Sequence, residues 1–167
     1  SRGLGDVYKR QLSMDTPTVW TETIEATPAY YLEVTGPYGT ARHKEAMEYV
    51  KAIAFHNFED DDFTIYGLAL DDPLTVDEEL LRYRVCLLCS ELSLEQDSQG
   101  ELGMMRIPSH HVLVVEVDHT REAIAQMWEK MPLILAEQEV SQTGFVAERF
   151  RRSKVAAGKS EFLIQLP

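Results

Sequence analysis

Apolar positions along this chain come in two rhythms: short blocks rich in β-branched and aromatic residues, and two longer runs at helical spacing. The blocks predict strands. Tyr30-Tyr31-Leu32-Glu33-Val34, within residues 18–35, is one; residues 65–70, 83–89, 104–107, 111–117, 145–150 and 161–166 are the others. The helical spacing predicts a helix over 40–58, where Ala46, Val50, Ile53 and Ala54 share a face. A second is predicted over 120–137, carried by Ala123, Ile124, Met127, Trp128, Met131 and Leu135. Pro132 lies inside that run and is expected to kink the helix or end its first part. Gly36-Pro37-Tyr38-Gly39 reads as a turn, and the acidic residues 59–62 as a solvated loop.

The order of elements repeats. Tyr31-Leu32-Glu33-Val34 aligns with Val114-Val115-Glu116-Val117, and a turn, a helix and a pair of strands follow each. Such a repeat predicts an α+β fold of duplicated β-α-β-β units with pseudo-twofold symmetry. Antiparallel sheets would lie side by side, with helices on one face and a central groove at the seam. The halves would span about 18–95 and 103–167, joined by a polar linker containing Gln96-Asp97-Ser98-Gln99-Gly100. Residues 1–17 are set apart from this domain. There Asp6-Val7-Tyr8-Lys9-Arg10-Gln11 resembles the translation of a transposon-end sequencing adaptor, so the segment is expected to be adaptor-derived or disordered.

Residues 67–87 carry the most specific pattern. An aliphatic strand stops at Asp71-Asp72-Pro73, since proline cannot donate to a ladder. Thr75 is placed to N-cap a short helical turn over 75–81, with Glu78 completing a capping box. A returning strand follows. In Gly67, Asp71, Asp72, Pro73, Glu79, Leu81, Arg82 and Tyr83, and in the upstream strand with Gly36-Pro37-Tyr38, the chain resembles the GyrI-like (gyrase-inhibitor-like) family. These are small-molecule-binding domains, also found fused to AraC- and MerR-type regulators.

The resemblance implies an aromatic-walled pocket carrying carboxylates. By position it assigns Glu161, which opens the last strand, and Glu148, in the strand before, as the acids. Trp128, Tyr83 and Tyr38 would be its walls. Such a cleft attracts a lipophilic cation through Coulomb attraction and cation–π contact. Each assignment has a plainer alternative: acids exposed to water or paired with Arg149 or Arg84, and rings that only pack. Three features depart from the family pattern. Ala69 and Leu70 stand where aromatics are common, His110 replaces a glycine, and Arg84 replaces an acid. By the repeat Arg84 corresponds to Glu161, which predicts an ion pair across the seam that would neutralise the site.

Charge narrows the partners. With 28 acidic against 16 basic side chains the net charge is −12, which repels nucleic-acid phosphate and argues against direct nucleic-acid binding. A small hydrophobic or cationic ligand, or a basic protein partner, is favoured. Arg149, Arg151, Arg152 and Lys154 form a basic cluster expected to be solvated surface. Cys86 and Cys89, three apart on a strand, face opposite sides and read as core residues rather than a disulfide. His110, His111 and His119 have no Cys or carboxylate at ligand spacing, so no metal is expected, and no nucleotide or other cofactor motif is present. Without a long apolar run or signal peptide, the expected location is the cytoplasm, away from membranes.

The function expected from these features is a bacterial, stand-alone small-molecule-binding domain, a sensor or sequestering protein. Its ligand would be lipophilic, and the carboxylates favour a cationic one. With no helix-turn-helix ahead of it, any part in transcription regulation would be indirect. One alternative is a hydrolase of strained electrophilic toxins, with Glu161 or Glu148 as the catalytic base. The other is a gyrase-inhibitor-type protein whose acidic surface meets a basic partner.

Overall fold

A computed structural model describes residues 17–58, 62–89 and 100–167. The adaptor-like stretch, residues 59–61 of the acidic run and residues 96–99 of the linker lie outside the described residues. Among the described residues, eight strands and three α-helices follow in the order β1 (Thr18–Ile24), β2 (Thr27–Thr35), α1 (Ala41–Asn57), β3 (Thr64–Ala69), β4 (Arg82–Leu88), β5 (Gly103–Ile107), β6 (His110–Asp118), α2 (Arg121–Glu137), β7 (Val146–Arg151), α3 (Arg152–Ala156) and β8 (Lys159–Gln165). All pairings are antiparallel, in one sheet of order β1-β6-β8-β7-β3-β4-β2-β5.

That order is symmetric about the β7–β3 seam. Each repeat is β-β-α-β-β rather than the expected β-α-β-β, because residues 18–35 divide at Glu25-Ala26 into two strands. The added strands are exchanged between units. β1 pairs with β6 of the second unit, and β5 pairs with β2 of the first. One continuous sheet therefore replaces the two that the repeat suggests.

Alternation along the strands gives the sheet two apolar faces. On one face α1 packs with Tyr30, Val34, Ile65, Val85 and Leu87. Also there, α2 packs with Leu113, Val115, Phe162 and Ile164. The other face gathers Tyr66, Leu68, Val112, Val114 and Leu163 with Trp20 and Met105 from the edge strands. Cys86 joins this second face and Cys89 the first, both as free thiols. α2 runs through Pro132 without ending there. The lost bond is the one to the Trp128 carbonyl, on an exposed side of the helix where solvent is at hand. Its start is capped by Thr120, whose Oγ1 accepts from Ala123 N at 3.1 Å. Arg152 and Lys154 of the basic cluster lie in α3.

The expected capping box at Thr75 and Glu78 does not form. Asp72 turns the chain first, its Oδ1 accepting from Leu74 N at 2.9 Å and its carbonyl from Thr75 N at 3.1 Å. Only a single 3₁₀ turn, Glu78–Leu80, follows, with no side-chain cap.

Glu161, 0% exposed, is the charge around which the second face is built. Arg151 grips it with two bonds of 2.7 Å, and Arg149 adds bonds of 2.7 and 3.3 Å. Arg149 also reaches Glu22 on β1 at 2.7 and 3.2 Å. In a flat sheet β1 and β7 would lie roughly 14 Å apart, so this bridge requires the sheet to curl over that face. Arg149's hydrogen bonds hold the Glu22 carboxyl down at about 2, against an ordinary 4.5. Burial alone would raise Glu161, but the Arg151 and Arg149 bonds override it and keep its pKa below the ordinary value.

Two predictions follow from this packing. Glu161→Gln leaves two guanidinium groups short of their counter-ion and should destabilise the protein by about 3–5 kcal/mol in denaturant titration. Because both carboxylates are depressed, their stabilisation is complete above about 4.5; that of Glu22 is lost as pH falls toward about 2, and that of Glu161 is lost in the same direction below its ordinary value. Circular dichroism against pH should show an acid transition in that window, shifted by Glu22→Gln. Secondly, a Cβ on Gly67 would lie 2.0 Å from Tyr83 Oη and 3.0 Å from its Cζ. Gly67→Ala should therefore displace the Tyr83 ring and cost about 1–3 kcal/mol.

Candidate functional site

A groove of about 950 Å³ opens on the helix side of the sheet, over the β7–β3 seam and between the cores of α1 and α2. The strand register sets its floor. Gly67 of β3 stands opposite Glu148 of β7, and Glu148 stands opposite Phe162 of β8. By the repeat Gly67 and Glu148 are equivalent positions. One half thus contributes an empty position and the other a carboxylate.

The empty position is filled by the Tyr83 ring, which lies across Gly67. Behind it His43 meets Tyr83 edge-on at 4.8 Å and Tyr38 at 6.0 Å. The Tyr38 hydroxyl is fixed, donating to the Arg82 carbonyl at 2.8 Å and accepting from Asp71 N at 3.1 Å. Asp71 in turn grips Arg82, with Oδ2 accepting from its backbone N at 2.7 Å and Nε at 3.0 Å, and Oδ1 from Nη2 at 2.9 Å. Asp71, Arg82 and Tyr38 therefore close the acidic connection as one unit and deliver Tyr83, the next residue of β4, onto the groove floor. Across the groove Trp128 of α2 is 43% exposed and stands edge-on to Phe162 at 5.4 Å. It is a rim residue of the groove, not part of the core.

Glu148, half-buried, is the chemically unusual member. No hydrogen bond or ion pair reaches its carboxylate from the described residues. Burial pushes its pKa up, more than the charges of His119 and Lys51 pull it down. Burial and the neighbouring Glu148 charge push the Tyr83 phenol up as well. Among the described residues no Lys, Arg or His lines the groove, while Asp71 and Asp72 stand at its edge. The lining is otherwise largely apolar and aromatic. A half-buried acid without a basic side chain among the described lining residues is an arrangement that favours uptake of positive charge.

Four of the residues singled out in the sequence, Glu148, Trp128, Tyr83 and Tyr38, come together around this groove. Glu161 does not. Phe162 and Ile164 of β8 face the helices, so alternation sends Glu161 to the opposite face, into the arginine cluster. The expected Arg84–Glu161 pair is also absent. Arg84 bonds Glu33, its cross-strand neighbour, at 2.9 Å and lies over the Tyr31 ring at 4.3 Å. Arg149 is 6% exposed, so at least that member of the basic cluster is interior rather than solvated surface. Phe162, Phe145 and Ile124 line the groove and were not singled out by sequence. For Phe162 a signal existed, because the residue beside a buried strand acid must face the other way. His110 serves the second face, its Nε2 3.1 Å from the Tyr66 hydroxyl and its Nδ1 2.8 Å from the Pro108 carbonyl.

Known proteins share this architecture. The EcmrR C-terminal domain superimposes with a TM-score of 0.64 at 10% identity, over 90% of this chain and 98% of that one. SAV2435, solved bound to tetraphenylphosphonium, gives a TM-score of 0.59 at 8% identity, over 90% and 94% of the two chains. In sequence, the SPbeta prophage-derived candidate transcriptional regulator YosT of Bacillus subtilis (strain 168) is 28% identical over 155 residues, 86% of this chain and 97% of YosT. No helix among the described residues is long and apolar enough to cross a membrane. Residues 18–155 match the family described as the GyrI-like small molecule binding domain, and the chain belongs to that family.

Proposed function

We propose that this domain binds a lipophilic cation in the groove, with Glu148 as its counter-charge and Tyr83, Trp128 and Phe162 as its walls. The observation that carries the reading is the Glu148 carboxylate, half-buried and, among the described residues, without a hydrogen-bond or ion-pair partner in a cavity that no described basic side chain lines. A cation entering the groove restores the charge balance that burial has disturbed, and the rings add cation–π contact. Tyr38 acts indirectly here, by anchoring the connection that places Tyr83. Similarity to SAV2435, which binds tetraphenylphosphonium, and to the candidate regulator YosT supports a sensor or sequestering role in the cytoplasm. The acidic surface makes direct nucleic-acid contact by this domain unfavourable.

Tetraphenylphosphonium binding measured by calorimetry should weaken at least about tenfold in Glu148→Gln, a loss of about 1.4 kcal/mol. The free variant should be more stable than the wild type at neutral pH. A raised carboxylate pKa means that folding opposes ionisation, so the wild type gains stability as pH falls through that pKa toward 4.5. Cation affinity should fall over the same range as Glu148 protonates. Unchanged affinity in Glu148→Gln would overturn the proposal. The same unpaired carboxylate could also deprotonate a water for attack on a bound electrophile. Turnover of a strained cyclopropane substrate by the wild type, lost in Glu148→Gln, would establish that second reading.

A further inference from the structure

Resting on the reading of the groove as a cation site, we infer that it selects cations carrying N–H donors, such as protonated amines or amidinium groups, over fully substituted onium ions of the same skeleton. The inference comes from the contrast with four acids that the fold supplies with donors. Glu161 accepts four hydrogen bonds, and Glu22, Asp71 and Asp62 each accept at least two. Glu148 accepts none from the described residues. The phenols divide in the same way. Tyr38 has three backbone partners, whereas Tyr83 Oη, held above Gly67 directly across from Glu148, has no hydrogen bond among the described residues.

A carboxylate and a phenol oxygen therefore share one patch of floor, and among the described residues no hydrogen bond reaches either. An onium ion would balance the charge of Glu148 but leave its lone pairs bare, and its carbon shell would keep the positive centre at a distance. A cation with N–H groups supplies charge and donors together. One N–H would meet the carboxylate in a charge-assisted bond, and a second would face the Tyr83 oxygen, which lies over Gly67, the cross-strand neighbour of Glu148. The aromatic walls are indifferent to this distinction, so the preference is assigned to Glu148 and Tyr83 on the floor, with Asp72 and Gln142 at the edge of the groove.

The test is a matched pair of ligands, dibenzylammonium and dibenzyldimethylammonium, titrated calorimetrically into the wild type, Glu148→Gln and Tyr83→Phe at neutral pH. The wild type should bind the N–H cation about tenfold more tightly. That ratio should fall toward one in Glu148→Gln and by about threefold in Tyr83→Phe. Circular dichroism and thermal melting of each free variant verify that it is folded. A ratio of one or less in the wild type, with both affinities lost in Glu148→Gln, would overturn the donor preference while leaving the cation site standing. If neither cation binds, or if Glu148→Gln changes neither affinity, the cation site and the preference fall together.

Discussion

Antiparallel pairing of β3 with β7 joins the two repeats, and its register decides what each face of the sheet receives. Side chains alternate along β7, so Glu148 enters the groove while its neighbour Arg149 enters the buried cluster on the far face. Slipping that register by one residue would exchange them, placing a guanidinium in the cavity and a lone carboxylate in the closed core. Correct pairing at the seam is thus a condition for folding and for the site at once.

The two glutamates show how differently one side chain can be treated. Glu161 is completely enclosed and fully satisfied, which ties β8, β7 and, through Arg149, β1 into a curled sheet. Glu148 is less buried and has no hydrogen-bond partner among the described residues, and its partial burial opposes its ionisation. A buried acid with its partners supplied by the chain is structural; one whose partners are missing stores free energy that a ligand can release. The repeat makes the contrast sharper. Gly67, at the position equivalent to Glu148, has surrendered its side chain so that Tyr83 can occupy the space.

Much of the fold was legible because it is written locally. Period-two blocks marked most strands, helical spacing marked both long helices, and the similarity of 31–34 to 114–117 exposed the duplication. Four groove residues were legible from motifs alone. β1 was hidden because Thr18–Ile24 and Thr27–Thr35 are separated by only two residues and read as one segment. The direction of Glu161 was misread because the resemblance aligned its position but not its face. Arg149 and Arg151, two apart and opposite it, held the correcting signal. The Glu22 contact left none, since its partner lies 127 positions away along the chain. Pro132 illustrates the converse, a local breaker overridden by burial of Met127, Met131 and Ile134 on the same helix.

The exchange of edge strands has a kinetic corollary. Thr18 lies opposite Glu116, and the partner of β1 is therefore synthesised long after β1 itself. During translation β1 must wait without its ladder partner, and its pairing with β6 comes late, by a contact of high sequence separation. Maturation should consequently be slow for a chain of this size, and its vulnerable interval is the time before the second unit emerges.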